Sequence, residues 1–396
     1  MIIRAKVVEY SNLMENTLRD WVMGLLIVLT GGAAAEAAFA EWSPPETITP
    51  PEGKWRTCYN SAGAVASDGR GNLHVVFFEE AGTAAYYRRF DGAAGRWEAP
   101  LRLDEATGRD AALVAAADGR LHIFFKSGRA LCHRVGEPIG TWGPPEYIKI
   151  PNRTPALPAP LALPTGDVAV AMVAERAHRP PAEIWYTVWR TEEGTFDPPV
   201  RLSEEPANLG GWTPTVALFR GELHVVWRDD RSGEFDLYES VFDGSTWTGP
   251  FRLTSDPAST FHPRLVVDGN DTLRLFFMDR RGGRAAIWEK EWDGERWTAD
   301  RLLFDGGGEA YHPTTARTPD GRLLLFWEDT RETPAAEIFY AAFSEGAWTE
   351  PRRISRSPGV ASGCASAAVT PSGEIAVVYT EGGRVRVQTL AAGATD

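Results

Sequence analysis

Hydrophobic and polar positions along this chain alternate in short runs that return at a nearly constant interval. Seven times an aliphatic residue opens such a run after a Gly-containing turn: Leu73, Leu121, Val168, Leu223, Leu273, Leu323 and Ile375. The intervals are 48, 47, 55, 50, 50 and 52 residues. Leu73-His-Val-Val-Phe77, Leu223-His-Val-Val-Trp227 and Ile375-Ala-Val-Val-Tyr379 show the strand pattern. The fourth repeat shows the whole plan. One strand through Thr215–Leu218 turns at Arg220-Gly221 into a second, Glu222–Trp227, and a loop leads to a third, Asp236–Val241. A tight Asp243-Gly244 turn then leads past Trp247 and Pro250 to a fourth at Phe251–Leu253. Self-similarity at this period with four strands per repeat predicts an all-β chain: a seven-bladed β-propeller of four-stranded antiparallel blades.

The ring also predicts its own closure. An edge signature of an aromatic residue, usually followed by Pro, recurs six times, at Trp97, Trp142, Phe196, Trp247, Trp297 and Trp348. The seventh repeat stops after its third strand, Arg384–Leu390, without one. The missing piece stands at the other end of the chain as Trp42-Ser-Pro44 and Thr47-Ile-Thr49. Residues 41–50 are therefore expected to be the outer strand of the last blade. Pro suits that place, because an edge strand can spare a backbone donor and must discourage sheet addition.

Residues 1–40 read as an export segment, with the true start possible at Met14. Trp21–Ala35 is uncharged and mostly apolar, and Ala38-Phe-Ala40 is an A-x-A cleavage pattern. The run is too short to span a bilayer, so no membrane insertion is expected after cleavage. The propeller is assigned to residues 41–391 and a short tail to 392–396, and the mature chain is expected to be secreted or periplasmic, as a monomer. The net charge of −13 argues against a nucleic-acid or anionic-membrane partner. Of the three cysteines, Cys132 is expected to be a buried small hydrophobe. Cys58 and Cys364 flank the first strands of the first and last repeats, which a ring places side by side, and could form a disulfide.

The third strand, the Asp-Gly turn and the Trp together resemble the Asp-box (BNR) repeats of the sialidase superfamily. The nearest copy is Ser240-Val-Phe-Asp243-Gly244-Ser-Thr-Trp247, with others at Asp293-Gly294 to Trp297, Asp91-Gly92 to Trp97, and Gly346 to Trp348. The resemblance implies a propeller with a structural turn motif on the face away from the usual binding site. It does not carry over the catalytic set: the F/Y-R-I-P motif of sialidases is missing, and seven repeats stand where sialidases have six.

In a propeller, the start of the first strand and the loop between strands two and three open on one face. Two residue sets fall there. The first is Trp212-Thr213-Pro214, Phe261-His262-Pro263 and Tyr311-His312-Pro313, with Cys364 in the His position of the last repeat. His262 and His312 are expected to point near the central mouth from adjacent blades, where imidazoles suit acid–base work or sugar hydrogen bonds, with Tyr311 as a second acid–base group. The alternative is a repeat feature that shapes the backbone, with each His bonded to a neighbouring blade. The second set is Asp229 with Arg231, Asp279 with Arg281 and Asp329 with Arg331. It is either a ring of charges for sugar hydroxyls and uronates or a series of Asp–Arg clasps. His74, His122 and His224 recur within strands and read as packing residues between blades, and His133 stands alone in a strand. Asp268-Gly-Asn-Asp271 reads as a turn, because it lacks the spacing of a calcium loop. No motif for a metal or another cofactor is found.

Three functions fit. The first is an exported carbohydrate-binding or interaction propeller with a glycan or polysaccharide at its mouth. The second is a carbohydrate-active enzyme, a sialidase-type exo-glycosidase or a polysaccharide lyase, and some lyases of this architecture use His and Tyr at the mouth. The third is a protein-binding envelope scaffold. A unique cluster of residues favours an enzyme, and a repeated ring favours a lectin.

Overall fold

A computed structural model describes residues 42–57, 63–82, 84–103, 108–176, 179–204 and 210–394, and Trp42–Gly393 forms one compact unit. The described elements are all strands, arranged as seven antiparallel sheets in chain order. The fourth blade runs outward from the axis as Trp212–Phe219, Glu222–Asp229, Asp236–Phe242 and Trp247–Arg252. In the fifth, Thr260–Val267 is innermost, followed by Leu273–Asp279, Ala286–Glu291 and Arg301–Phe304. In the sixth, Ala310–Arg317, Leu323–Asp329 and Glu337–Ser344 are followed by a split outer strand. The seventh consists of Ser362–Val369, Ile375–Glu381 and Arg384–Leu390, completed by Glu46–Thr47.

This last pairing is the expected closure. Glu46 faces Val387 and Thr47 faces Arg386. Around them, Ser43 N–H donates to Thr389 O (2.8 Å) and Ile48 N–H to Val385 O (3.0 Å). The ring of Trp42 lies edge-on to Tyr340 of blade six at 5.4 Å.

The second strand of each blade is buried on both faces, which is why these strands are the most continuously apolar in the sequence. Their side chains pack between blades. Val225 and Trp227 of blade four, for instance, share one apolar cluster with Ala171 and Ile184 of blade three. The outer strands are short, and they leave Leu101, Val200 and Phe251 exposed.

The polar pairs inside the sheets extend the expected packing role of the buried histidines. His74 Nδ1 bonds Tyr87 Oη at 2.7 Å, and His224 Nδ1 bonds Glu239 Oε1 at 2.8 Å, both within one blade. His133 does not stand alone: its Nε2 bonds His122 Nδ1 at 3.0 Å, because positions 122 and 133 are near neighbours across the hairpin. Asp268 is a turn residue, as expected, accepting from the backbone N–H of Asn270 and Thr272. The export segment, the 395–396 end of the tail and Cys58, with its proposed partnership, lie outside the described residues.

One backbone feature positions everything at the axis. In each of blades two to seven the innermost strand carries a bulge near its start, and the bulged residue sits in the left-handed region. These residues are Asp110, Leu157, Thr213, His262, His312 and Cys364, with φ between 50° and 56°. None is a glycine. An L-residue with a side chain pays about 1–2 kcal/mol for this conformation, so the surrounding ring must enforce it.

Candidate active site at the mouth of the ring

The bulges show what the aromatic-x-Pro set does to the backbone and where it puts its side chains. The distortion itself is scaffold, because it recurs where neither the aromatic nor the Pro is present, as at Asp110 and Cys364. The side chains it displays vary: Asp, Leu, Thr, His, His and Cys follow each other round the ring. His262 and His312 come from adjacent blades and meet, with ring centroids 4.1 Å apart at an interplanar angle of 65°.

Their surroundings differ. His312 Nδ1 is held by Glu328 Oε1 at 2.7 Å, and the same oxygen accepts the Cys364 backbone N–H at 2.7 Å. With Nδ1 bound to Glu328, Nε2 is the nitrogen left for a ligand. Burial of the His312 ring opposes its charge, but the hydrogen bond and negative charge of Glu328 outweigh burial and raise its pKa above the ordinary imidazole value. His262 has no such partner, and its Nδ1 is buried without a hydrogen bond. Burial first, then the positive charges of His312 and Arg228, hold its pKa well below the ordinary value. Two imidazoles in contact cannot both be charged cheaply, and Glu328 settles which one carries the proton.

Arg228 reaches the same place from the end of the second strand of blade four. Its guanidinium lies over Phe235 at 4.8 Å and over Phe261 at 5.0 Å. Burial brings its pKa down to about 10, so it stays cationic at neutral pH, and its Nε is buried without a hydrogen bond. Tyr311 Oη donates to Glu309 Oε2 at 3.0 Å, with Arg280 over its ring at 5.9 Å. Burial, then the bond to Glu309, raises the Tyr311 pKa and keeps the phenol protonated. Trp212, Phe261, His262, Tyr311 and His312 are all half-buried, each keeping an accessible surface.

The Asp/Arg set is placed differently from a ligand-facing ring. Asp229, Asp279 and Asp329 are buried, and each accepts from the Arg two residues on: Arg231 at 2.8 Å, Arg281 at 2.8 Å and Arg331 at 2.6 Å. Each Arg then lies over aromatic rings of its own blade, such as Trp288 under Arg281 at 4.2 Å. Further donors complete the carboxylates, as Trp327 Nε1 does for Asp329 at 2.8 Å. The geometry is that of clasps closing the loops between strands two and three. The physical reason is the strand period: these carboxylates lie on one face of their blade, while the residue one place earlier lies on the other and reaches the next blade, as Arg228 reaches Phe261 and Glu328 the Cys364 N–H.

That preceding position is what reading the sequence missed. It holds Arg228 in blade four, Met278 in blade five and Glu328 in blade six, facing Trp212, Phe261 and Tyr311 of the inner strands. The signal was available in the three runs compared, Trp-Arg-Asp, Phe-Met-Asp and Trp-Glu-Asp, as the place where the chemical character changes from copy to copy. On the opposite face, Asp243 and Asp293 each cap their own exposed turns through backbone N–H groups, a structural use. Among the described residues no group of three or more His, Cys, Asp and Glu side chains is arranged to hold a metal ion.

No known protein family and no curated protein matches this sequence. Solved structures do match in shape. An ulvan lyase of polysaccharide lyase family PL25, bound to a GlcA–Rha3S repeat, aligns with a TM-score of 0.58 at 14% identity, over 86% of this chain and 95% of its own. The polysaccharide lyase Uly1 aligns with a TM-score of 0.60 at 9% identity, over 89% and 99%. The Hadza microbial sialidase Hz136 aligns with a TM-score of 0.51 at 14% identity, over 83% and 75%. At these identities the likeness is one of architecture: the chain is a seven-bladed member of the β-propeller fold on which polysaccharide lyases and sialidases are also built.

Proposed function

We propose that this protein is an exported carbohydrate-active propeller that cleaves an acidic, uronate-containing polysaccharide by β-elimination at the mouth of the ring. The observation that carries this reading is the contact between His262 and His312, with their pKa values pushed in opposite directions. Paired groups tuned apart are the mark of an acid and a base assigned by environment. Elimination needs a base for the proton beside the carboxylate, an acid for the departing glycosidic oxygen, and a cation against the charge that grows on the carboxylate. Neutral His262 is the acceptor of that proton. Protonated His312, oriented by Glu328, gives its proton to the leaving oxygen as the C4–O bond breaks and the C4–C5 double bond forms. Arg228 faces the carboxylate, while Phe261, Tyr311 and Trp212 offer surfaces to the C–H faces of sugar rings.

Among the described residues the side chains of the cluster come from blades four to six, and the repeated charges are tied up in clasps; both points favour an enzyme over a ring-shaped lectin. The lyases of similar fold support the substrate class. The second reading, a binding mouth without turnover, rests on the aromatic surfaces, which suffice for stacking by themselves. The test is a panel of uronate-containing polysaccharides followed by ultraviolet absorbance of the new double bond. Wild-type protein should generate the chromophore on at least one member, and His312→Ala and Arg228→Met should not. A polymer that binds at the mouth and is never cleaved would sink the lyase reading and leave the binding one.

A further inference from the structure

Each bulged residue at the mouth has a companion on the second strand of its own blade, in register with the residue just before the bulge. The pairs are Asp110 with Lys126, Leu157 with Val173, Thr213 with Arg228, His262 with Met278, His312 with Glu328, and Cys364 with Thr380. Blade two sets a cation against an acid, blade three pairs two aliphatic residues, and blade six sets a carboxylate against an imidazole. Blade five sets a thioether against the same imidazole.

Blades five and six are therefore two variants of one design. Their bulges have the same form: the register passes from Phe261–Met278 to Arg264–Phe276 in one, and from Tyr311–Glu328 to Thr314–Phe326 in the other. Both histidines have φ = 51°. With the backbone alike, the difference lies in the companion. An imidazolium donates from both ring nitrogens, and its charge is stable only where those donors find acceptors. Glu328 Oε1 gives one to His312 Nδ1 at 2.7 Å. Met278 is buried and its sulfur is a weak acceptor, and His262 Nδ1 is buried without a hydrogen bond. The charged groups that face His262 are His312, with its ring centroid at 4.1 Å, and Arg228 of blade four, and both oppose a proton there. Glu328, the carboxylate of the cluster, is engaged by His312 and the Cys364 N–H.

We propose that Met278 is a positioning residue that assigns the acid and the base of the mouth: by offering His262 no acceptor it leaves that ring as the free base, while Glu328, in the same place one blade on, makes His312 the acid. The catalytic use of this assignment rests on the elimination reading. The assignment itself is a property of the protein without substrate.

Nuclear magnetic resonance titration of isotope-labelled imidazoles tests it, with the two signals identified by their loss in His262→Ala and His312→Ala. In wild type His312 should titrate above the ordinary value of about 6.5, and His262 should stay neutral down to about pH 5. Met278→Glu should raise the His262 midpoint by roughly one to three units, whereas Met278→Leu, of similar volume, should leave it in place. The reciprocal change Glu328→Met should bring the His312 midpoint down toward that of His262. A His262 that stays silent in folded Met278→Glu, or that rises as far in Met278→Leu, overturns the proposal. So does a His312 unmoved in Glu328→Met, which decides alone if Met278→Glu does not fold. The shifts should appear as described even if no uronate polymer is cleaved, a result that would remove the elimination reading and leave the assignment standing.

Discussion

The seam between the last blade and the first should be the most sensitive place to probe how the ring holds together, and Ile48 is the residue to change. It is completely buried, in the same apolar cluster as Val385 and Val387 of blade seven and Val76 of blade one. Its backbone joins the two blades: the N–H donates to Val385 O at 3.0 Å, and the carbonyl accepts from Arg88 Nη1 at 2.7 Å. Ile48→Ala keeps both hydrogen bonds and removes only apolar volume. Losing the equivalent of three buried methylenes costs about 2.5 kcal/mol in transfer free energy, and the cavity brings this to about 3 kcal/mol. For a unit of about 350 residues the unfolding entropy makes that roughly 4 °C in Tm. Ile139, 63% exposed, supplies the control with identical chemistry: Ile139→Ala should move stability by less than about 0.5 kcal/mol. Differential scanning calorimetry of the three proteins reads the comparison directly. Equal melting of Ile48→Ala and Ile139→Ala would refute the claim that residues 42–49 lock the ring.

Three further outcomes are expected. Glu328→Gln should lower the pKa of His312, so binding or cleavage of an acidic oligosaccharide, which needs the protonated ring, should fall off at lower pH than in wild type. An unshifted profile would remove Glu328 from the site. Asp329→Asn should cost about 3 kcal/mol in denaturant titrations by leaving Arg331 without its anionic partner, while affinity for any mouth ligand stays the same; lost affinity at intact stability would return the clasps to the binding surface. His74 and His122, held down to about 4 by burial, remain neutral in the fold, whereas the unfolded imidazoles take up protons near the ordinary value. Between roughly pH 6.5 and 4 the unfolded state therefore binds more protons, and stability should fall with acid through that window. His122→Leu with His133→Leu should flatten the slope of urea midpoint against pH.

The parts of this fold that could be read from sequence are those that seven copies repeat. The aliphatic openings at Leu73 to Ile375 marked the second strands, and the absent edge after Leu390 located the closing strand at Glu46–Thr47. Repetition also obscured the site. Asp229, Asp279 and Asp329 drew notice because they recur, and they turn out to hold loops, whereas Arg228 and Glu328 beside them differ from copy to copy. The contact between His262 and His312 was foreshadowed by their common place in adjacent repeats. Their opposite protonation was not, because it depends on a carboxylate sixteen residues further along the chain from His312.

The left-handed bulge has a consequence for how such a molecule can change. Thr213, a β-branched residue, adopts φ = 52° as readily as Cys364 adopts 56°, although β-branched side chains resist this region most. The conformation is thus dictated by the ring and is indifferent to the side chain that occupies it. Each of blades two to seven offers the axis one interchangeable slot, whose strain has been met in advance by its neighbours. Exchanging the residue in a slot rewrites the chemistry of the mouth without renegotiating the backbone, so mutation can explore new ligand chemistry one blade at a time while the other six hold the ring in shape.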